Sequence, residues 1–203
     1  MASETLDERS IDRDPIKQFQ LWFDSAVAAH FPLPEAMSLA TVNPDGRPTS
    51  RMVLLKSFDG DGFVFYTNYR SAKANDLETN PNAALTFFWP QLEKQVRIEG
   101  SVTKTSAAES RRYFETRPRE SQIGAWASPQ SDVISGRDEL ELRQRELEET
   151  YRGQPVPCPE HWGGYRLKPA RIEFWQGRVG RLHDRILYER QADGSWSIKR
   201  LAP

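Results

Sequence analysis

The sequence predicts a mainly β protein, an antiparallel barrel with helices at its margins. Three observations carry this. Runs such as MSLATVN, FVFYT and AALTFFW are separated by turn signals such as NPDG and DGDG, which is the punctuation of strands joined by hairpins. There is no regular strand–helix–strand alternation and no internal repeat, so a doubly wound parallel sheet is not expected. The 203 residues, 37% of them hydrophobic and including ten Phe, six Trp and six Tyr, suffice for one domain with its own core.

Residues 1–13 are polar, with mixed charges, and are expected to form a mobile tail; residues 14–203 are expected to form the domain. Asp14-Pro15 suits the cap and first position of a helix. Ile16, Phe19, Phe23 and Val27 then recur at helical steps, to about His30. MSLATVN, SRMVLLKSF and FVFYT read as the first three strands. A short helix follows, capped by Ser71 and ending near Asn80. AALTFFW and QVRIEGSVTKT read as the next two strands. Ser106 with Glu109 forms a capping box, opening a helix that stops before Pro118. RESQIGAWAS is a further short helix. Ser135 is placed as the cap of a charged, half-exposed helix, GRDELELRQRELEETYR, ended by QPVPCPE. The remaining strands are GYRLKPARIEFWQ, RLHDRILYER and SWSIKRLAP, the last two joined at ADG.

Composition narrows the function. With 28 Lys and Arg against 29 Asp and Glu, net charge is −1, so no global basic field draws the chain to nucleic acid or an anionic membrane. Any anion site must be a local cluster of cations. The single cysteine, Cys158, excludes an intramolecular disulfide and fits a reducing compartment. No apolar run reaches membrane-spanning length, and the N-terminal stretch lacks the apolar core of a signal peptide. A cytoplasmic setting is expected. The dinucleotide, P-loop, zinc-protease and serine-hydrolase signatures are missing. His30, His161 and His183 lie far apart with no ligand spacing, so no metal site is expected.

Three constellations remain. Arg51, Lys56 and Lys73 surround two apolar strands. Arg51 and Lys56 are five apart, so on one regular strand they face opposite sides, a parity that suits two anions better than one. Lys73 sits in the first turn of a helix, where backbone N–H groups favour phosphate. Solvated strand-end charges also account for this spacing. Next, Tyr113 and Arg117 share a helical face, and Ser121 follows beyond Pro118. A phenol, a guanidinium and a hydroxyl converging on a phosphate contribute roughly 1.5–3 kcal/mol per charged hydrogen bond, although an ordinary helix end explains the stretch equally well. Last, Arg181, His183 and Arg185 alternate along a predicted strand and so share one face, with Trp175 upstream. A solvated face is the competing explanation there.

The ordered motifs RMVLLK, FYTN, RPRESQIGAWAS, WGGY, IEFWQG, RLHDR and the terminal KRLAP resemble the pyridoxamine/pyridoxine 5′-phosphate oxidase family, over residues 14–203. The resemblance implies an FMN-binding split β-barrel and a homodimer with FMN at the subunit interface. It implies oxidation of pyridoxine or pyridoxamine 5′-phosphate to pyridoxal 5′-phosphate, with O2 reduced to H2O2 and ammonia released from the amine. Carried over residue by residue, it assigns FMN contacts to Arg51, Met52, Val53, Leu54, Leu55, Lys56, Tyr66, Thr67, Lys73, Gln95, Gln130, Ser131, Trp175 and Arg185. It assigns the substrate phosphate to Lys56, Tyr113, Arg117 and Ser121, and the pyridine ring to Arg181 and His183, the expected catalytic pair. The opposed cations then serve two phosphates, one on the cofactor and one on the substrate. The chain departs from the family pattern at Ala72, where an Arg is frequent, and in lacking a tail Arg-x-x-Tyr. The alternatives are a phenazine-type split-barrel flavoenzyme, which has no need of the RPRESQ phosphate segment, and a non-catalytic FMN-binding module, which has no need of Arg181 and His183.

Overall fold

The computed structural model describes residues 5–203. The first helix, α1 (Pro15–Ala28), starts where Asp14 accepts a hydrogen bond from the Ile16 amide at 2.9 Å. Its buried face is Phe19, Trp22 and Ala26, while Val27 stays half exposed. The apolar stripe is therefore rotated slightly from the one the spacing predicts.

The strands β1 (Ala36–Val42), β2 (Pro48–Leu54), β3 (Ser57–Asp59), β4 (Gly62–Asn68), β5 (Asn82–Trp89), β6 (Lys94–Lys104), β7 (Trp162–Gln176), β8 (Asp184–Arg190) and β9 (Trp196–Leu201) form one antiparallel sheet. Its order is β2-β1-β5-β6-β7-β4-β3, with β8 pairing β7 and β9. The long strand β7 decides the architecture. One edge of β7 pairs with β6 along its length; the other is divided, Trp162–Leu167 pairing with β4 and Arg171–Gln176 with β8. A strand whose edge changes partner midway splits the sheet into two lobes that curl apart.

The helices α2 (Ala72–Thr79), α3 (Ala107–Glu115), α4 (Arg119–Ala127) and α5 (Arg137–Thr150) lie at the margins. The main core is aromatic: Phe19 is fully buried and meets Phe58, Phe63 and Phe87 edge-on at 4.8–5.0 Å, a preferred ring geometry. A second cluster, Phe114, Ile123, Val156 and Trp162, joins α3 and α4 to the start of β7.

Three local expectations are corrected. SRMVLLKSF is two strands, not one: at the break the Leu55 amide bonds Glu35 and the Lys56 amide bonds Val64, so a change of hydrogen-bond partner outweighs a continuous apolar run. The cap of α5 is Gly136, and Ser135, one residue earlier, bonds Glu139 through its amide and hydroxyl at 3.0 and 2.8 Å. β8 begins only at Asp184; Arg181 lies in a short 3₁₀ turn with φ +64°, beside Gly180 at φ +74°. Arg181 and His183 therefore do not share a strand face.

Residues 1–4 of the expected tail lie outside the described residues. Of the rest, Leu6 is buried in the main core, Arg200 donates to its carbonyl and pairs with Glu8, and Tyr188 donates to the Asp12 carbonyl at 2.6 Å.

Candidate active site

A cleft of about 630 Å³ opens between β2, β4, α3, α4 and the loop after α4. Of the residues assigned from sequence, Met52, Val53, Leu54, Lys56, Tyr66, Thr67, Lys73, Tyr113, Arg117, Ser121 and Gln130 line it. Its walls are set by local sequence. Ser106 accepts the Glu109 amide at 3.1 Å and starts α3, whose far end presents Tyr113; Pro118 ends the turn and caps α4, which presents Ser121.

Lys73 is buried at the start of α2. Among the described residues its ammonium bonds neutral oxygens alone, Thr67 Oγ1 at 3.1 Å, Ser71 Oγ at 3.2 Å and Gln130 Oε1 at 3.3 Å. Burial, with repulsion from Arg51, lowers its pKa to about 8, against an opposing pull from Asp76. Ser131, held at φ +81°, accepts the Ala72 amide through its hydroxyl at 3.1 Å. Arg51 is braced from below by Thr41 at 2.6 Å and Thr49 at 2.7 Å, and pairs with the buried Asp76 at 3.5 Å. Leu55 points into the core, so only its backbone is available to a ligand.

A second unneutralised cation stands across the cleft. Arg117 pairs with no carboxylate among the described residues, and its Nη1 is buried without a hydrogen-bond partner. A buried orphan donor of this kind is costly, about 1–3 kcal/mol, and burial lowers the guanidinium pKa. Tyr113 stacks on Tyr66 with centroids 4.0 Å apart. Burial raises the pKa of Tyr113 and takes that of Tyr66 to about 12, so both phenols stay neutral donors.

Like Arg51, Leu55 and Ser131, the remaining assigned residues, Gln95, Trp175, Arg181, His183 and Arg185, do not line this cleft. They gather at the far end of β7. Gln95 pairs across the ladder with Trp175, whose ring lies 4.7 Å from that of His183. The His183 Nδ1 accepts the Arg178 amide at 3.1 Å, which leaves the proton of the neutral ring on Nε2. Arg185 donates to Glu173 at 2.8 Å and to the Ala202 carbonyl at 2.9 Å. Trp162 in the cleft and Trp175 are the first and next-to-last residues of one strand, roughly 40 Å apart at ~3.3 Å per residue. One small cofactor cannot touch both ends of the same chain.

Sequence reasoning missed the residues that support the site: Thr41, Thr49 and Asp76 under Arg51, Glu173 under Arg185, and Trp162 beside Arg117. Only Asp76 carried a local signal, lying three residues after Lys73 on one helix. Among the described residues no group of three or more His, Cys, Asp or Glu gathers to hold a metal, and no helix is long and apolar enough to cross a membrane.

Residues 23–151 match the pyridoxamine 5′-phosphate oxidase family, and residues 162–203 match the pyridoxine 5′-phosphate oxidase C-terminal dimerisation region. The chain is 58% identical to a pyridoxine/pyridoxamine 5′-phosphate oxidase of Microcystis aeruginosa, covering 98% of this chain and 94% of the relative. It is 56% identical to that of Acaryochloris marina, covering 98% and 91%. Among solved structures, PhzG from Burkholderia lata, in complex with tetrahydrophenazine-1-carboxylic acid, superposes with a TM-score of 0.93 at 30% identity over the whole of both chains. A pyridoxamine 5′-phosphate oxidase-related, FMN-binding protein from Nostoc punctiforme gives 0.74 at 20% identity, covering 94% and 98%; that likeness shows the split-barrel fold.

Proposed function

The chain belongs to the pyridoxine/pyridoxamine 5′-phosphate oxidase family, and from that premise we propose that it is an FMN-dependent oxidase making pyridoxal 5′-phosphate from pyridoxine and pyridoxamine 5′-phosphates. Dioxygen is the electron acceptor and leaves as H2O2, and the amine substrate also yields ammonia. The observation that carries this reading is a pair of cations in one cleft without ion-pair partners among the described residues: Lys73, bonded there to neutral oxygens, and Arg117, with a buried Nη1 that none of those residues satisfies. Two such groups suit two phosphates.

The residues present fit the cofactor. Lys73, Arg51, Thr67, Gln130 and Ser131 would hold the FMN phosphate, with the α2 N-terminus adding its backbone dipole. The Arg51–Lys56 backbone and Tyr66 would line the ring system. FMN, when bound, supplies the two-electron chemistry. The protein supplies placement. Lys56, Tyr113, Arg117 and Ser121 hold the ester phosphate, and this remote grip orients the pyridine ring.

Gln95, Trp175 and Arg185 would complete the cofactor site, and Arg181 and His183 would cover the substrate ring, all from a second copy. The separation of the two ends of β7 supports that homodimer with FMN at the interface, as does the match to a dimerisation region. Arg181 keeps a positive φ at a non-glycine position, a strain of about 1–3 kcal/mol that persists where function needs the geometry. The Nε2 hydrogen of His183 gives a donor for a polar ring substituent. A cytoplasmic setting is part of the same proposal, supported by the single cysteine.

The likeness to PhzG favours a second reading, oxidation of a tricyclic acid. One experiment separates them: the purified protein should show a yellow flavin spectrum and release peroxide with both phosphorylated vitamers. Flavin binding with no peroxide from either vitamer overturns the proposal.

A further inference from the structure

The WGGY motif has no role in the site as assigned, yet its first residue lines the cleft. The Trp162 ring packs edge-on against Phe114, centroids 5.1 Å apart and planes at 70°, within the buried cluster of α3, α4 and β7. Its open face meets the Arg117 guanidinium, whose carbon stands 4.6 Å from the ring centroid. Tyr66 and Tyr113 lie nearly parallel to the same ring, within 11° and 8°, at 5.4 and 6.2 Å. The glycines after Trp162 make this assembly possible. A Cβ at Gly164 would lie 2.8 Å from the Tyr66 ring, and one at Gly163 would collide with the Tyr69 hydroxyl and sit 2.7 Å from Ser110.

We propose that Trp162 is the positioning residue for the substrate phosphate: its indole face holds the Arg117 guanidinium, and keeps Tyr113 aligned, where both meet the ester. The inference rests on the assignment of Arg117 to that ester. Among the described residues no carboxylate fixes Arg117, so something else must set its direction. An aromatic face does so without neutralising it, because the attraction to the ring leaves the N–H edge free to donate. A carboxylate in the same place would compete with the phosphate. This explains how a cation is held in place while an Nη1 donor stays unused.

The test is steady-state kinetics on Trp162→Phe and Trp162→Leu, alongside Arg117→Lys, with FMN content measured by absorbance. Trp162→Leu is expected to raise KM for pyridoxine 5′-phosphate about 10- to 30-fold with a much smaller fall in kcat. The preference for the ester over unphosphorylated pyridoxine should contract by the same factor. Trp162→Phe, keeping a smaller aromatic face, should return most of that loss, and serves alone if the Leu variant does not fold, with an expected rise of about threefold. A fall in kcat and FMN content with KM unmoved marks a purely structural role and overturns the proposal. If Arg117→Lys loses ester preference while both Trp162 variants keep it, only the role of Trp162 is wrong. If Arg117→Lys keeps full preference, the phosphate assignment fails and this inference with it.

Discussion

The two ends of β7 handle positive charge in opposite ways. At the Trp162 end, Lys73 is buried among neutral oxygens, and the half-buried Arg117 lies on an aromatic face with its Nη1 enclosed. At the Trp175 end four arginines are matched, Arg185 and Arg97 by Glu173, and Arg178 and Arg200 by Asp184, and Arg181 is exposed to solvent. Paired charges build a rigid surface, whereas unpaired buried ones are expensive and persist where a ligand completes them. The cleft end is thus built to take anions, and the far end to present Trp175, Arg181 and His183 on a firm support.

If the two ends meet only across a dimer, defects at opposite ends must complement. Arg117→Ala and Arg181→Ala should each reduce activity at low substrate to a few percent or less, Arg181→Ala through turnover with FMN retained. Co-expressed in equal amounts, they should form about half mixed dimers, each with one intact site, and recover about a quarter of wild-type activity. A mixture no better than its components would break the comparison at its root, because the two ends would then serve one chain.

Stability offers the next contrast. Glu173→Gln leaves Arg185 without its carboxylate partner and Arg97 with Glu99 alone, and should lower unfolding free energy by about 1–3 kcal/mol, given that both arginines keep some solvent. Lys73→Met removes a buried charge with no directly bonded carboxylate among the described residues and should raise the stability of the FMN-free protein by about 1 kcal/mol while abolishing tight FMN binding. Urea titrations of the two apo-variants check both signs. Destabilisation by Lys73→Met would mean that its three neutral hydrogen bonds outweigh the burial of its charge.

The same residue gives a pH dependence. The Lys73 pKa is about 8 in the native protein against 10.5 ordinarily. Between those values the unfolded chain binds more protons, so apo-stability gains as pH rises through that window. Phosphate needs the ammonium form, so FMN affinity should fall above about pH 8, approaching tenfold per unit. Equilibrium dialysis across pH 7–10 measures it. Lys73→Arg should flatten the fall; an unchanged slope would assign the titration elsewhere.

How much of this was legible in the sequence follows from the range of the forces involved. Local chemistry was readable: Asp14 and Ser106 cap their helices as expected, and the strand–turn punctuation predicted the hairpins. What failed depended on distant partners. Nothing local says that the strand after Leu54 abandons β1, or that the Gly180–Arg181 turn delays β8, although two glycines in QGRVGR were a hint. The cleft cations were visible as residue types, but their lack of counter-ions was not, because that depends on which carboxylates the fold sends elsewhere. Asp76, three residues from Lys73, goes instead to Thr41, Thr49 and Arg51.

The smallest effect tests how far the cleft end depends on burial. Ala72 is exposed at the first position of α2, beside buried Lys73. An arginine introduced by Ala72→Arg adds a solvated cation near the proposed FMN phosphate, worth about 0.3–1 kcal/mol at low salt. FMN should therefore bind roughly two- to fivefold more tightly. That gain should disappear in about 0.5 M salt, where screening acts within a few ångströms, whereas the contribution of Lys73 should survive because salt does not reach it. If the Ala72→Arg gain persists at high salt, the new side chain has found a desolvated position, and the boundary between the buried and solvated parts of the phosphate site lies further out than Lys73.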